Sequence, residues 1–476
     1  MENMNGTSVI SSSLNSFASP WWFATNSSSS SWAISTSGEL ARPGSTTSLI
    51  LEAILVMSLM SIQSVLLHPK FEGSTASRLA RLSLGPIIVG WWFYFPFRLP
   101  VQPLETRNIL PGFAAGMMIL KSLEWTFVAG PYHLRTLKTI DGVPFWVKEP
   151  APMPSSCGGK SDWRELALWT ALQFQSFRGL RWSWGPSTPI KGNQSTFTQS
   201  MLELARLQLV MLPCLAFLIH AQDRSTNSFD SMRALLDLGV PSFPGLRYVA
   251  SGFHSICAML VISSSIEMMS LIPVLSTYLL HPLAQKLGLS SQWCDLVNPQ
   301  AFPPQFGPIL EFSSLAHFWG KTWHQRFRRP FLFCGGKPAM ALARFFGASP
   351  QIQKACGAMG VFVISGLLHE YPMHVFERAP HPHPRGLFKT FPGSFLFFFV
   401  QSFGLILEPM IIPYIPKRLG GAKLWTACFL FLTAPLFTRD ICRPTGMFTQ
   451  YHVPQEWTWL HILIPAPYAT HVLSPK

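Results

Sequence analysis

The sequence predicts an all-α polytopic membrane protein with about nine transmembrane helices. Three observations carry that reading. Only 12% of the 476 residues are charged, about half the share usual in a soluble domain. Apolar residues reach 48%, with 38 Phe and 17 Trp, so a soluble body of this length has too few charges to cover itself. Apolar runs close to the ~20 residues that a bilayer requires also recur along the chain.

Taken in order, residues 1–46 are rich in Ser, Asn and Thr, with no Lys or Arg before Arg42. This stretch lacks the basic start and compact apolar core of a cleavable signal peptide and reads as a disordered tail. Asn5-Gly-Thr and Asn26-Ser-Ser are glycosylation acceptors if the tail is lumenal. Residues 47–476 read as a single membrane domain. Its candidate spans are 47–67, 82–97, 109–129, 201–221, 248–268, 357–376, 393–413, 424–438 and 457–473, and "LIPVLSTYLL" (271–280) is a further half-span or re-entrant piece.

Two polar loops, 131–200 and 282–356, interrupt the series and collect many of the Lys and Arg residues. A lumenal tail with alternating spans places both loops in the cytoplasm, which is where the positive-inside rule puts them. The formal charge of +14 therefore points to an anionic membrane surface and an anionic cosubstrate. It does not point to nucleic acid, because the basic residues lie between apolar runs and not along one face or tail. The eight cysteines are scattered, with no C-x-x-C pair, so neither a zinc site nor a disulfide framework is indicated. No internal repeat of the transporter kind is visible.

Ionisable residues within the spans are functional candidates by default. They are Glu52, Lys121, Glu124, His254, Glu267, His369, Glu370, His374 and Glu408. Lys121 and Glu124, three apart on one helical face, have a simpler reading as a mutually neutralising pair. Glu52 and Glu408 lie toward span ends, within reach of the interface.

The segment "VFVISGLLHEYPMHVF" (361–376) places His369, Glu370 and His374 in an apolar helix. Its "HEYPMH" differs from the zinc signature H-E-x-x-H. The two histidines are five residues apart, roughly 140° around a helix, and Pro372 interrupts the backbone ladder between them. Two histidines in "HPHP" (381–384) do not make a complete metal site either. Burial disfavours the imidazolium, so a neutral His369 able to accept a proton is expected. It is either a general base or a core histidine bonded to a neighbouring helix.

The second segment, "PPQFGPILEFSSLAHFWGKTWHQRFRRPF" (303–331), is amphipathic and aromatic and suits a membrane interface. Its centre, Phe318 to Gln325, combines bulky rings with Gly320 and a second histidine, His324. Arg326, Arg328 and Arg329 follow as a natural cluster for phosphates. The plainer reading is an interfacial anchor with snorkelling basic ends.

Together these segments resemble the wax-synthase-like branch of the membrane-bound O-acyltransferase superfamily. Members carry an F-W-G-x-x-W-H/N motif in a cytoplasmic loop, matched by Phe318–His324, and an S-G-x-x-H-E-like span, matched by Ser365–Glu370. "RGLRWSWG" (178–185) is similar to the family's R-G-x-x-W-x-W stretch. The resemblance covers roughly residues 45–475 and implies a helical membrane domain around a tunnel. Acyl-CoA enters that tunnel from the cytoplasm and the acceptor from the membrane. It also implies that His369 is catalytic. His324 matches a second polar position, Asn or Asp in many members, whose role is to orient the thioester carbonyl or to serve structure. Trp319, Lys321, Trp323, Gln325, Arg326, Arg328 and Arg329 are the expected acyl-CoA contacts.

The implied activity is closest to that of the fungal members that acetylate terpenoid and meroterpenoid alcohols. Acetyl-CoA would be the cosubstrate, with no metal, and a lipophilic alcohol the acceptor, in the endoplasmic reticulum membrane. A long-chain wax-ester synthase using a fatty alcohol is the alternative. A rival of another class is a transporter with an intramembrane His/Glu proton relay. The missing repeat and the aromatic, basic loop speak against it.

Overall fold

The computed structural model describes residues 46–99, 109–150, 163–185, 190–191, 195–223, 228–289, 291–307, 311–376 and 392–445. Three helices open the domain: α1 (Thr46–Val65), α2 (Thr75–Tyr94) and α3 (Ile109–Phe127). The first polar loop then folds as an antiparallel hairpin, β1 (Arg135–Ile140) and β2 (Val143–Pro150). After it come α4 (Trp163–Gln175) and a two-residue strand β3 (Ile190–Lys191) that extends the hairpin. Helix α5 (Phe197–Ala221) leads through a short pair, β4 (Gln222–Asp223) and β5 (Ser228–Phe229), to α6 (Ser231–Asp237) and α7 (Leu246–Lys286).

The second polar loop holds α8 (Ser291–Leu296) and α9 (Leu315–His317), which runs into a π-turn over Phe318–Thr322. It continues with α10 (Arg328–Phe331), a second π-turn over Leu332–Gly336, and α11 (Lys337–Phe345). Helices α12 (Pro350–Phe376), α13 (Gly393–Ile411) and α14 (Ala422–Thr445) complete the described chain.

The first eight expected spans fall on helices, and the ninth, 457–473, lies outside the described residues. Five helical stretches are long and apolar enough to cross a membrane: Thr47–Val65, Phe197–Ala221, Leu246–Lys286, Pro350–Val375 and Gly393–Tyr414. The expected count of about nine is thus not reached on these grounds. Arg78 and Arg81 in α2, and Lys121 with Glu124 in α3, dilute the apolar character of helices that are otherwise of membrane length. The expected half-span 271–280 is no separate piece. It continues α7, one helix of 41 residues that runs through Pro273 and Pro282. At 1.5 Å per residue α7 is roughly 60 Å long, about twice the hydrocarbon thickness.

Tryptophan builds the core on the α1–α3 side, where Trp92, Trp125, Trp169 and Trp182 are all buried. Phenylalanine does so between α12, α13 and α14, through Phe362, Phe397, Phe398 and Phe437. Helices in lipid gain little from hydrophobic sorting and associate by close backbone approach, which small residues permit. The stretch 335–345 runs antiparallel to α12 on such a seam: a Cβ at Gly335 would lie 2.1 Å from the Gly360 carbonyl oxygen. A Cβ at Gly116 would lie 2.6 Å from Leu368 Cδ1, so α3 also meets α12 closely, one residue before His369.

Gly360→Val should therefore force the α11–α12 seam apart and destabilise the domain by about 1–3 kcal/mol, the usual range for overpacking. Thermal unfolding of the detergent-solubilised protein checks this, with Gly90→Val, a position where a Cβ meets open space, as the control.

Candidate active site

Two carboxylates from membrane helices and one loop arginine hold the second polar loop in place. Glu267 of α7 accepts hydrogen bonds from the backbone N–H groups of Gln305 (3.1 and 3.2 Å) and Phe306 (3.2 Å). Arg178 Nη1 donates to the carbonyls of Pro303 (3.2 Å) and Pro304 (2.7 Å), just upstream. Burial pushes the Arg178 guanidinium down to about 10, against the opposing pull of Glu267. Glu408 of α13 is buried and accepts from the N–H groups of Leu315 (2.5 Å) and Ala316 (3.1 Å), the start of α9. The first N–H groups of a helix have no intrahelical partner, and an anion placed there satisfies them.

The sequence left 303–331 either an interfacial anchor or a source of acyl-CoA contacts, and put Glu408 toward a span end. The centre of the segment packs against α12 and α13 through Trp319, and Glu408, in the last turn of α13, is buried and caps α9. Trp319 Nε1 donates to Gln401 Oε1 (3.2 Å) on α13, and Gln401 Nε2 donates to Thr433 Oγ1 (2.9 Å) on α14. The Gln325 amide donates to the carbonyls of Trp319 (3.2 Å) and Trp323 (2.7 Å), which closes the turn.

The turn so held forms one wall of a cavity of about 250 Å³. Trp319, Trp323, His324, Gln325 and Arg328 come from the loop, Ser365 and His369 from α12, and Phe398 from α13. The two histidines, 45 positions apart in sequence, thus line one space. The His369 ring stacks on Phe398 (centroids 4.2 Å apart, planes 29°) and meets Phe113 and Phe437 edge-on. Its Nδ1 lies 2.7 Å from the carbonyl oxygen of Ser365, one helical turn back. A carbonyl oxygen only accepts, so Nδ1 carries the hydrogen, and in the neutral ring Nε2 holds the lone pair that meets the cavity.

His324 is set differently. Edges of Phe306, Trp323 and Phe327 surround it, and its Nδ1 is buried without a hydrogen-bond partner. Burial, and then repulsion from His369 and Arg326, push its imidazole down to about 3, so it is neutral at physiological pH.

Arg326, Arg328 and Arg329 do not act as one cluster. Arg328 lines the cavity. Arg326 lies over the Phe177 ring at 5.5 Å. Arg329 Nε donates to Glu124 Oε1 (2.9 Å), and its guanidinium lies 5.2 Å over Trp184. Burial opposes the charge on Arg329, but Glu124 outweighs that and raises the guanidinium above its ordinary range. Lys321 is exposed on the π-turn and does not line the cavity.

Lys121 and Glu124 also divide their partners and do not simply neutralise each other. Glu124 accepts from Arg329 and from the Tyr132 hydroxyl (2.7 Å). Lys121 Nζ donates to the Ser176 carbonyl (2.6 Å) within a cage of Trp125, Phe177 and Trp184 rings. "RGLRWSWG" serves this junction, since Arg178 grips the second loop and Trp184 underlies both Lys121 and Arg329. Gly179 sits at φ +70° with Trp184 packed where a Cβ would go.

Glu370 turns away from the cavity, and its carboxylate accepts from the Phe395 N–H (3.2 Å) at the start of α13. Helix α12 runs on through Pro372, so His369 and His374 sit on one continuous helix and point apart. Among the described residues no group of three His, Cys, Asp or Glu side chains is placed to hold a metal ion. "HPHP" (381–384), Asn5 and Asn26 lie outside the described residues.

Residues 302–400 match the Membrane bound O-acyl transferase family. Both histidines, the π-turn and all of α12 fall inside that stretch. The chain is 26% identical over 258 residues to the O-Mevalon transferase yanI of Aspergillus niger, covering 50% of this chain and 52% of that relative. It is 27% identical over 259 residues to the O-Mevalon transferase macI of Penicillium terrestre, covering 51% and 52%. It is 29% identical over 172 residues to the acetyltransferase ataH of Aspergillus terreus, covering 33% and 52%. The chain thus spans about half the length of these curated relatives. No solved structure matches it. The family match takes in two of the three motif segments, Phe318–His324 and Ser365–Glu370, and "RGLRWSWG" (178–185) lies outside it.

The neutral state of His324 makes the fold acid-sensitive. In the unfolded chain it titrates near 6.5 and in the fold near 3, so between those values only the unfolded chain takes up the proton. Stability that is full above pH 6.5 is therefore lost as the pH falls toward 3. The unfolding temperature in detergent should drop between pH 7 and pH 4, and His324→Asn should shallow that drop. An unchanged slope in the variant removes His324 as its source.

Proposed function

We propose that the protein is a membrane-bound O-acyltransferase. In this reading it moves an acetyl group from acetyl-CoA to a hydroxyl of a terpenoid or meroterpenoid intermediate in fungal secondary metabolism. The observation that carries this is the pairing in one cavity of a His369 whose Nε2 is the acceptor nitrogen with a neutral His324.

The hydroxyl proton passes to His369 Nε2 as the alcohol oxygen attacks the acyl carbon. The carbon–sulfur bond breaks, CoA leaves as a thiolate, and the proton on Nε2 returns to it as the thiol. Fixing the Nδ1 hydrogen on Ser365 prepares the base, because the tautomer is set before the substrate arrives. Ser365 meets His369 through its backbone carbonyl, which fixes the base, and direct transfer needs no acyl-enzyme nucleophile. His324, able to donate from a neutral ring without adding a full charge, is the group suited to polarise the thioester carbonyl. Arg328, the one member of the arginine run on the cavity wall, offers a cation to the anionic cosubstrate, with Trp319, Trp323 and Gln325 beside it.

The name of one relative, acetyltransferase ataH, supports acetyl as the group transferred. A multi-pass arrangement of about nine spans follows from the same reading. So do a lumenal tail, cytoplasmic loops at 131–200 and 282–356, and residence in the endoplasmic reticulum, where the partners are acyl-CoA, a lipophilic alcohol and membrane lipids.

In membranes carrying the wild type, labelled acetyl-CoA should acetylate a member of a terpenoid alcohol panel. His369→Ala should lower that rate by ~10²–10⁴-fold, the usual contribution of a placed base, with folding unchanged. Full activity in the variant sinks the assignment of the base. Product only from a long-chain acyl-CoA and a fatty alcohol would make the protein a wax-ester synthase.

A further inference from the structure

The helical run that walls the cavity continues outward to a face that no part of the described chain covers. Arg328, Phe331 and Leu332 line the cavity. A turn later Gly335, Gly336 and Met340 lie against Gly360, Val361 and Gly357 of α12, which fixes α11 antiparallel to that helix. Beyond the seam the outward side carries Leu342 (59% exposed), Phe345 (82%) and Phe346 (74%), with Ile352 (53%) across the turn. Residues three and four apart share a helix face, so the first three form one stripe.

The charge around that stripe has a single sign. From Phe312 to His369 the chain has seven Lys and Arg and no Asp or Glu. Two of them, Arg344 and Lys354, are exposed at the stripe's end of the helix, and Arg344 Nε donates to Gln353 Oε1 (3.4 Å), while Lys337 lies two turns back with its ammonium 6.0 Å over the Phe333 ring. Apolar rings next to cations, in a stretch without acidic residues, suit the outer end of a helix that meets the headgroup layer of an anionic membrane. A second copy of the chain fits poorly, because a two-fold contact would set these cations against themselves. The height is also right. The membrane-competent stretch Pro350–Val375 has 26 residues, roughly 39 Å of helix against ~30 Å of hydrocarbon, so its first turns, beside α11, project to headgroup level.

We propose that residues 342–354 form a docking site for anionic lipid headgroups, with Phe345 and Phe346 inserted at the edge of the acyl chains. Because one helical run joins this face to Arg328 and Leu332, lipid docking braces the cavity wall, and transfer rises with anionic lipid. Only that last consequence rests on the transferase reading.

The test places the full chain in nanodiscs of phosphatidylcholine, alone or mixed with phosphatidylserine, and follows amide hydrogen exchange over 342–354. Exchange should be slower in the anionic discs, by about fivefold for each basic residue engaged. Arg344→Gln and Lys354→Gln together should erase that difference. Phe345→Ser with Phe346→Ser should speed exchange in both lipids. Unchanged protection of residues 361–369 reports that each variant is folded. Equal exchange of the wild type in both lipids overturns the site. Protection that follows the number of chains per disc and not lipid charge also overturns it, in favour of a second copy. Acetyl transfer, measured on the same discs, is a separate readout, so a failed transferase reading leaves the exchange result standing.

Discussion

The cavity depends on a carboxylate in an apolar helix. Glu408 takes the amide hydrogens of Leu315 and Ala316, the first of the short helix that becomes the Phe318–Thr322 π-turn. A buried carboxylate is costly unless hydrogen bonds compensate it, and unpaired helix-start amides are costly in the same way. Each cost cancels the other only in this one geometry. Hydrogen bonds to a charged group contribute about 1.5–3 kcal/mol each, so two of them can hold a three-residue helix that has no stability of its own. Glu267 repeats the arrangement upstream on Gln305 and Phe306, while Arg178 takes the neighbouring carbonyls of Pro303 and Pro304. The backbone before the aromatic motif is thus gripped through both its donors and its acceptors.

With the loop fixed, the chemistry follows from helix geometry on the other wall. A histidine in a helix can reach the carbonyl four residues back, and His369 does so at Ser365, which leaves one nitrogen for the cavity. Its sequence neighbour Glu370 is turned about 100° around the helix and spends its carboxylate on the Phe395 amide, so it holds α13 and does not pair with the base. Adjacent ionisable residues in an apolar helix therefore have separate duties. His369 faces the ligand space, and Glu370 fixes the helix that brings Phe398 against it.

Much of this was legible before any coordinates. The helical membrane character follows from the scarcity of charge, and His324 and His369 stand out as ionisable groups among rings and apolar residues. What stayed hidden was set by contacts distant in sequence. The amphipathic, aromatic character of 303–331 suits an interface, but it does not say that carboxylates on α7 and α13, 38 and 93 positions away, hold the segment through its backbone amides. The two glutamates were visible as intramembrane charges, yet their partners are backbone amides, which leave no mark in a sequence. The 271–280 stretch reads as a half-span or re-entrant piece, whereas α7 carries it, with Pro273, within one helix. The hairpin in the first loop was not foreseen, since Arg135 to Pro150 has only a short run of alternation around the Asp141-Gly142 turn.

The run Arg326, Arg328 and Arg329 shows how far local sequence can carry a site. Read as a string it is a phosphate cluster, but Arg326 sits in the turn before α10, and Arg328 and Arg329, neighbours at the start of that helix, point about 100° apart, so the three do not converge. One reaches the cavity, one lies on Phe177, and one is taken by Glu124 and Trp184. The last of these ties the loop to α3, and α3 meets α12 at Gly116, next to Leu368 and hence beside His369. Burial and Glu124 hold the Tyr132 hydroxyl well above its ordinary range, so it remains a donor to the carboxylate that Arg329 shares. The "RGLRWSWG" stretch completes the same tie by supplying the Trp184 ring beneath both Lys121 and Arg329. Of the motifs that carry the family resemblance, two supply the histidines and the third supplies the scaffold that keeps their walls together.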